Sequence, residues 1–285
     1  MTPLYLQCGR FTLSLSERPL VMGVLNITPD SFSDGGRFQA LDAALSHAEQ
    51  MIQEGVDIID IGAESSRPGA PALPLQQELD RLMPVVYALR ECGKPLSVDT
   101  YKPQVMHEAL AAGADMINDI NAFREEGALT AVSSGHSALC IMHMLGRPAT
   151  MQEEPRYTDV ASEVGDFLSE RLATCKSAGI APERLCVDPG FGFGKTVAHN
   201  LELLRALPRL AELGAPVLAG VSRKSMIGAL TGKPVDQRMA GSLSAMLAAV
   251  AGGARIVRVH DVGPSVDALK IWNAVFEYTD KRGQE

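Results

Sequence analysis

Eight short apolar runs alternate with amphipathic stretches along this 285-residue chain. The apolar runs cover residues 20–27, 56–61, 95–98, 114–117, 138–142, 185–187, 216–221 and 256–259. The helix-like stretches lie near residues 40–54, 75–91, 103–112, 126–134, 158–178, 199–212, 236–251 and 264–279. This alternation is typical of βα units that build a parallel sheet buried on both faces. Eight such units in about 250 residues predict an α/β fold, the (β/α)8 or TIM barrel.

We expect one domain over residues 1–285, because no linker rich in proline, serine or glycine divides the chain. A doubly wound open sheet is the alternative. Against it, residues 26–30 follow the first run where a dinucleotide-binding fold would carry Gly-x-Gly-x-x-Gly. The connections at 28–39 and 62–74 are long, and long connections in a compact domain are commonly functional loops.

The composition argues against two classes of partner. A formal net charge of −8 is unfavourable for a broad nucleic-acid surface, which needs concentrated lysine and arginine. The chain has no uncharged apolar run of roughly 18 residues, and its first residues lack the basic and apolar regions of a secretory signal. We therefore expect a cytoplasmic protein without a membrane partner. Five scattered cysteines with no Cys-x-x-Cys pair are expected to be reduced and structural.

Polar side chains stand at or just beyond the carboxyl end of each predicted strand. They are Asn26, Glu64, Asp99, Asn118 with Asp119, His143, Asp188, Lys224 and His260. In a barrel, the carboxyl ends of the strands carry the active site. One such residue alone is weak evidence, because strand ends are often polar. The coincidence over eight strands predicts a small-molecule site.

Three of these groups match the edge of a flat heterocycle. Asp99, Asn118 and Asp188 offer the acceptors and donors that an amino-pyrimidinone ring requires. Lys224 is a candidate partner for Asp188, with a purely structural ion pair as an equal alternative. Three glycines within residues 190–194 let the backbone approach a ligand closely.

A second group of residues suits an anion and a metal ion. Arg258 and His260 alternate along the last strand, so both should point into the barrel. The chain then enters a helix whose N-terminal N–H groups favour phosphate, and Arg67 adds a cation from the second long loop. Oxygens that suit Mg²⁺ belong to Asn26, Thr28, Asp30 and Asp34. Rings that could stack on a ligand, or simply pack in the core, belong to Phe32, Phe191 and Phe193.

Eight motifs stand in a characteristic order along the chain. They are MGVLNITPDSFSDGG at 22–36, IDIGAESSRPG at 59–69, SVDT at 97–100, INDI at 117–120, MHM at 142–144, DPGFGFGK at 188–195, SRKS at 222–225 and RVHD at 258–261. Over nearly its whole length the chain thereby resembles the dihydropteroate synthase family, the folate-pathway enzymes that sulfonamides inhibit. The resemblance implies a homodimeric barrel that, with Mg²⁺, joins 7,8-dihydropterin-6-methyl diphosphate to 4-aminobenzoate, giving 7,8-dihydropteroate and diphosphate.

The resemblance also implies roles for individual residues, carried over motif by motif. The pterin would contact Asp99, Asn118, Met142, Asp188 and Lys224. The diphosphate would be held by Asn26, Ser66, Arg67, Arg258 and His260, with Asn26 also meeting the magnesium. The 4-aminobenzoate would lie among Ser66, Pro68, Phe193, Lys224 and Ser225, under loops that carry Phe32, Asp34 and Arg67.

The chain departs from the family pattern at a few positions. Ala63 and Ser66 stand where the family usually has glycine and threonine. Tyr101 replaces a small residue, and Asn121 stands where a basic residue is common. Ser66 retains the hydroxyl group, so no assigned chemical group is lost, but these changes leave sensitivity to sulfonamides open.

Two other functions remain as alternatives. A methyltetrahydrofolate-binding module of a corrinoid methyltransferase would share the pterin-binding aspartate and asparagine, but it needs no diphosphate site. A non-catalytic paralogue that binds pterin and regulates a partner should have lost loop residues. The loop and mouth residues Asn26, Asp34, Arg67, Lys224 and His260 are all present.

Overall fold

The computed structural model describes residues 5–27, 36–64, 72–147 and 150–281, except the side chains of residues 36–38 and 277–281. An antiparallel hairpin comes first, formed by β1 (Tyr5–Cys8) and β2 (Phe11–Ser14). The barrel strands that follow are β3 (Leu20–Asn26), β4 (Ile58–Gly62), β5 (Leu96–Asp99), β6 (Met116–Asp119), β7 (Ala138–Met142), β8 (Leu185–Asp188), β9 (Val217–Ala219) and β10 (Ala254–Val259). They are parallel and close on themselves, because β10 pairs with both β3 and β9. The predicted (β/α)8 barrel is confirmed, and the open sheet is wrong.

Helices alternate with the strands and cover the outside of the barrel. They are α1 (Gly36–Gln53), α2 (Leu75–Leu89), α3 (Pro103–Ala111), α4 (Ala128–Ser133), α5 (Val160–Ser177), α6 (Val197–Ala211), α7 (Ser225–Thr231), α8 (Met239–Ala251) and α9 (Val262–Lys281). Outward-facing strand residues such as Val21, Ile59 and Ile117 are fully buried beneath them. None of the helices within the described residues is long and apolar enough to cross a membrane.

The amino-terminal end of the barrel is filled with apolar side chains. Successive residues of a strand point to opposite faces, so Met22, Ile58 and Met116 all point inward, where they pack in one buried cluster. Leu6 and Cys8 of the hairpin are fully buried against the same cluster. The hairpin therefore closes this end of the barrel and leaves the carboxyl ends of the strands as its mouth.

The sequence pattern misses two features of the fold. Each hairpin strand has only four residues, which is too few for a distinctive alternation. The helix predicted near 236–251 is preceded by a separate helix, α7, which contains Gly228 and is capped by the following Gly232, where φ is +69°. Glycine inside a short helix weakens its sequence signal. Helix α1 begins at Gly36, so the first long connection is shorter than predicted.

Candidate active site

Acidic and amide side chains from neighbouring strands meet inside the mouth of the barrel. Asp60 and Gly62 lie on the inward side of β4, and the register places Gly62 beside Asp99, and Asp99 beside Asn118. Asp188 ends β8 and is buried as well. The structure thus brings together Asp99, Asn118 and Asp188, which were predicted to share a site, and it adds Asp60.

Arg258 joins several of these groups from β10. Its Nε donates to Asp60 Oδ2 at 2.6 Å, and one terminal nitrogen donates to Asp99 Oδ2 at 2.9 Å. Asn118 Nδ2 donates to the same Asp60 oxygen at 3.2 Å. The predicted inward orientation of Arg258 is therefore correct, but its guanidinium lies between two carboxylates. Burial raises the pKa of the Asp99 carboxyl to about 7, although the Arg258 charge opposes that shift.

Three buried polar atoms in this region have no hydrogen-bond partner among the described residues. They are Asp60 Oδ1, Ser97 Oγ and Asn118 Oδ1, on three adjacent strands. A buried polar atom without a partner costs roughly 1–3 kcal/mol. Such atoms are rare in folded proteins and need an explanation, such as a bound ligand or water. Asn118 Oδ1 lies at the level of Asp99, where it favours a polar ligand, whereas Asp60 Oδ1 and Ser97 Oγ lie one inward position deeper.

In the glycine-rich loop after β8, the backbone packs closely against neighbouring groups. At Gly190, φ is +69° and a Cβ would lie 1.8 Å from the His143 carbonyl oxygen, so no other residue fits. Gly190 N donates to Asp188 Oδ1 at 2.7 Å and fixes that carboxylate. Lys195 Nζ donates to the carbonyl oxygens of Gly190 and Phe193, each at 3.0 Å. The lysine of this motif therefore holds the loop and does not face a ligand.

Lys224 lies above the loop at the edge of the mouth. Its Nζ is 4.3 Å from the centroid of the Phe193 ring, and its side chain would touch a Cβ at Gly192. No salt bridge within the described residues joins Lys224 to Asp188, so the predicted ion pair is wrong as a direct contact. Burial and, next, the Arg258 charge lower the pKa of the Lys224 ammonium to about 8.

The two basic residues of the SRKS motif have different environments. Arg223 has a left-handed backbone with φ of +57°, and its side chain pairs with Asp261. Its backbone N–H donates to Ser242 Oγ at 2.9 Å, while Arg238 donates to its carbonyl oxygen at 3.1 Å. These contacts fix the turn that directs the next residue, Lys224, toward the mouth.

His260 follows β10 beside this turn. Its Nδ1 lies 3.1 Å from Ser222 Oγ, and the same hydroxyl accepts its backbone N–H at 3.3 Å. Burial and then the Arg258, Arg223 and Lys224 charges lower the pKa of the imidazole to about 4. The imidazole is therefore neutral near pH 7, and the nearby cations suit an anion.

Three strand-end residues do not face the mouth, so the predicted convergence is wrong for them. Glu64 bonds to Tyr101 and Lys102 outside the barrel rim. Asp119 accepts the backbone N–H groups of Asn121 at 2.7 Å and Phe123 at 2.6 Å. His143 Nδ1 lies 2.9 Å from Lys195 Nζ. Asp119 and His143 each directly follow an inward-facing residue, so alternation turns them away from the interior.

The remaining predicted residues lie at the rim or outside the described part of the chain. Asn26 ends β3 and is exposed; its Oδ1 would lie 3.7 Å from a Cβ at Gly62. Met142 and Phe193 share a buried apolar cluster, and Ser225 is exposed at the start of α7. Phe191 is fully buried in the core. The predicted residues outside the described ranges are Thr28, Asp30, Phe32, Asp34, Ser66, Arg67 and Pro68.

Asp60 is the mouth residue that the sequence reasoning missed. It lies inside a predicted strand, not at the strand's end, so a search of strand ends overlooks it. Its signal was the pattern of Ile59, Asp60 and Ile61, a carboxylate between two apolar residues of a buried strand. Since a buried carboxylate needs a partner, this position alone predicts an inward-facing cation such as Arg258.

Comparison with known proteins shows which family shares this barrel and mouth. Residues 22–260 match the family of pterin binding enzymes. Dihydropteroate synthase of Neisseria meningitidis serogroup C is 51% identical over 274 residues, covering 94% of this chain and 96% of the relative. The chain belongs to the dihydropteroate synthase family.

Solved structures of dihydropteroate synthases agree with this assignment. The Burkholderia cenocepacia enzyme, complexed with 7,8-dihydropteroate, is 56% identical with a TM-score of 0.90, and the match covers 99% of each chain. The Yersinia pestis enzyme, in complex with a sulfonamide drug, is 47% identical with a TM-score of 0.90, covering 96% of this chain and 99% of that one. These similarities favour the transferase activity of the family over that of a methyltransferase module or a regulatory paralogue.

Proposed function

We propose that this chain condenses (7,8-dihydropterin-6-yl)methyl diphosphate with 4-aminobenzoate, giving 7,8-dihydropteroate and diphosphate for folate biosynthesis. The observation that carries the proposal is the cluster of Asp99, Asn118 and Asp188 inside the mouth, next to Lys224 and Arg258. It occurs in a chain 56% identical to a dihydropteroate synthase that was solved with 7,8-dihydropteroate.

The pterin would bind deepest, along the carboxylates and the amide. The unpaired Asn118 Oδ1 and the carboxylate of Asp188 would accept the ring's N–H groups, since both are acceptors when Asp188 is ionised. Met142 and Phe193 supply apolar contacts for the flat ring. Lys224, held over the Phe193 ring, would donate to a ring or exocyclic oxygen or nitrogen.

The diphosphate would leave toward the cationic side of the mouth. Arg258, Lys224 and His260 lie close enough together to affect one another's charge. A neutral His260 can donate one N–H to the diphosphate, and the bound anion would also raise the pKa of its imidazole. Ser66 and Arg67 are proposed to complete this site. Charge that develops on the leaving group is thereby met by groups already in place.

The reaction itself needs few protein groups. The bond between the pterin methylene carbon and the diphosphate oxygen breaks, and the amine nitrogen of 4-aminobenzoate forms the new bond and loses a proton. Because the amine is the nucleophile, no covalent enzyme intermediate is required. Ionised Asp99 and Asp188 would stabilise positive charge on the pterin as diphosphate departs.

We propose that diphosphate loss runs ahead of amine attack. The buried carboxylates beside the pterin site support this order, because they favour a cationic ring. Capture of a pterin-methyl cation by water when 4-aminobenzoate is withheld, detected as hydroxymethyl-dihydropterin, would support it. Strict dependence of diphosphate release on the amine would argue against it.

Magnesium is proposed as the metal ion, held by Asn26 together with the substrate's phosphates. The donor fits, because the Asn26 amide oxygen is a hard ligand at the exposed end of β3, and Mg²⁺ typically takes one or two protein oxygens plus phosphates. When bound, Mg²⁺ would neutralise charge on the diphosphate. Asn26 would supply its amide oxygen from the exposed end of β3.

The 4-aminobenzoate would lie nearer the rim, among Ser66, Pro68, Phe193, Lys224 and Ser225. Exposure of Ser225 at the start of α7 supports an outer position. Sulfonamides are proposed to inhibit by occupying the same place, since the Yersinia pestis relative was solved in complex with a sulfonamide drug. Phe32, Asp34 and Arg67 are proposed to act from the covering loops.

A homodimer in the cytoplasm is also proposed. Exposed apolar side chains support the dimer: Leu230 of α7, Met239 of α8 and Ile271 of α9 are 60%, 44% and 69% exposed. Light scattering on purified protein would test it, and a monomer at micromolar concentration would contradict it. All five cysteines are free, as expected in a reducing compartment.

The deciding experiment is product formation by the purified protein. Dihydropteroate should form from the pterin diphosphate and 4-aminobenzoate with Mg²⁺, and chelation should abolish it. Tight pterin binding without product would instead favour a methyltransferase-like or regulatory role. Product that persists after chelation would refute the magnesium requirement and leave the synthase reaction standing.

A further inference from the structure

Asp60 lies at the floor of the mouth, one inward position below the level of Asp99. It is fully buried on β4, and the register pairs it with Ser97 of β5. None of the roles proposed above uses it, yet one of its oxygens accepts two hydrogen bonds, from Arg258 and from Asn118. A buried carboxylate that accepts hydrogen bonds from two proposed ligand-binding side chains can fix the orientation of both.

The carboxylate determines which way the Asn118 amide faces. An ionised carboxylate only accepts hydrogen bonds, so the Asn118 group that faces it must be the N–H₂ group. The Asn118 Nδ2 to Asp60 Oδ2 distance of 3.2 Å fits this assignment. Asn118 Oδ1 is then turned away from Asp60 and has no partner among the described residues. The Asn118 oxygen then faces the ligand, where it favours a hydrogen-bond donor over an acceptor.

The same oxygen sets the plane of the Arg258 guanidinium. Nε bonds to Asp60 and one terminal nitrogen bonds to Asp99, which fixes two edges of a rigid planar group. The Arg258 to Asp60 contact is the shorter, at 2.6 Å against 2.9 Å, and Asp60 is the more deeply buried carboxylate. Arg258 therefore keeps its orientation even when a ligand draws Asp99 away.

We infer that Asp60 is a positioning residue for the pterin, which acts by orienting Asn118 and Arg258 without touching the substrate. The inference rests on the proposed function for the identity of the ligand. It predicts that the two hydrogen bonds matter more than the negative charge, because Arg258 retains Asp99 as an ionic partner. Loss of the Asp60 charge would also relieve one of the repulsions that raise the pKa of Asp99.

The test compares Asp60→Asn, Asp60→Ala and the control Ser97→Ala. Asparagine can accept both hydrogen bonds through its amide oxygen, whereas alanine can accept neither. Ser97 is the register partner of Asp60 and is fully buried, and its hydroxyl has no partner among the described residues, so Ser97→Ala breaks no hydrogen bond there. Affinity for the pterin diphosphate is measured by calorimetry, KM for 4-aminobenzoate by turnover, and folding by thermal melting. Asp60→Ser replaces Asp60→Ala if the latter does not fold.

Asp60→Ala should weaken pterin binding at least tenfold, while Asp60→Asn and Ser97→Ala stay within about threefold of the wild type. KM for 4-aminobenzoate should change less than twofold in all three variants. Wild-type affinity in Asp60→Ala, or an equal loss in Asp60→Asn and Asp60→Ala, would overturn the inference. A wild-type protein that binds the pterin but forms no dihydropteroate would overturn the proposed reaction alone, and one that does not bind it would overturn both.

Discussion

The same strands form both ends of the barrel, but one end is filled with apolar side chains and the other with polar and charged ones. At the amino-terminal end, inward residues such as Met22 and Ile58 pack with Leu6 and Cys8 of the hairpin in one buried apolar cluster. Nearer the mouth, the inward-facing positions carry Asp60, Asp99 and Arg258. Here buried polar atoms lack partners among the described residues, and the pKa of Asp99 is raised. The first end contributes stability, and the second gives some of it up to hold a ligand. Mutations at the two ends should therefore separate stability from activity.

Leu6→Ala in the hairpin should have the largest effect on stability. Leu6 is fully buried, and truncating such a leucine typically costs about 2–5 kcal/mol of unfolding free energy. Urea unfolding measures the loss, with Leu13→Ala, on the same hairpin but partly buried, as the milder control. Activity per folded molecule should not change. A large fall in kcat/KM would show that the hairpin end also affects activity, contrary to the proposed difference between the two ends.

Lys224→Ala should have the opposite profile. One charge-assisted contact is worth about 1.5–3 kcal/mol, so kcat/KM for the pterin diphosphate should fall roughly 10- to 150-fold. The melting temperature should stay the same or rise, because burial disfavours the charged ammonium. Exposed Lys233→Ala is the control. Equal activity of Lys224→Ala and wild type would remove Lys224 from the proposed site.

Asp99→Asn should change how the free energy of unfolding depends on pH, because it removes a buried carboxyl group with a raised pKa. The folded pKa of Asp99 is raised to about 7, so the protonated form is favoured in the folded state. Its contribution to stability is present below about pH 4, the unfolded value, and is lost as pH rises through about 7. The stability of Asp99→Asn relative to wild type should therefore increase between pH 4 and 7, by roughly 3 kcal/mol. A difference that is flat over that range would contradict the raised pKa.

Tyr101→Phe should have the smallest effect. The Tyr101 hydroxyl donates to Glu64 at 3.0 Å outside the mouth, and losing one partly exposed hydrogen bond costs about 0.5–1.5 kcal/mol. Pterin affinity should not change, since Glu64 does not face the barrel interior. A tenfold loss of pterin affinity would show that the rim contributes to the mouth, and the comparison of two ends would then be too simple.

The barrel was predictable because a parallel sheet buried on both faces leaves a strong apolar signal. The eight strands follow from it to within a few residues at each boundary. The four-residue strands of the hairpin do not, because they are too short to show a period. Helix α7 was missed because a short helix that contains Gly228 has little intrinsic helix propensity.

The mouth was only partly predictable, because a strand-end position does not fix which way a side chain points. Asp99, Asn118 and Asp188 are placed where the sequence suggested, whereas Asp119 and His143 are turned away by the alternation of a strand. Counting alternate residues from a known inward position would have excluded both and included Asp60. The pairing of Arg223 with Asp261 depends on a left-handed backbone, which the sequence does not show.

The hairpin that closes the amino-terminal end of the barrel affects the order in which substrates can bind. Because Leu6 and Cys8 close the amino-terminal end of the barrel, ligands enter the described part of the barrel interior from the mouth. The pterin is proposed to occupy the depth of the mouth and 4-aminobenzoate its upper part. A molecule of 4-aminobenzoate that arrived first would stand in the way of the pterin, so productive cycles should load the deeper substrate first.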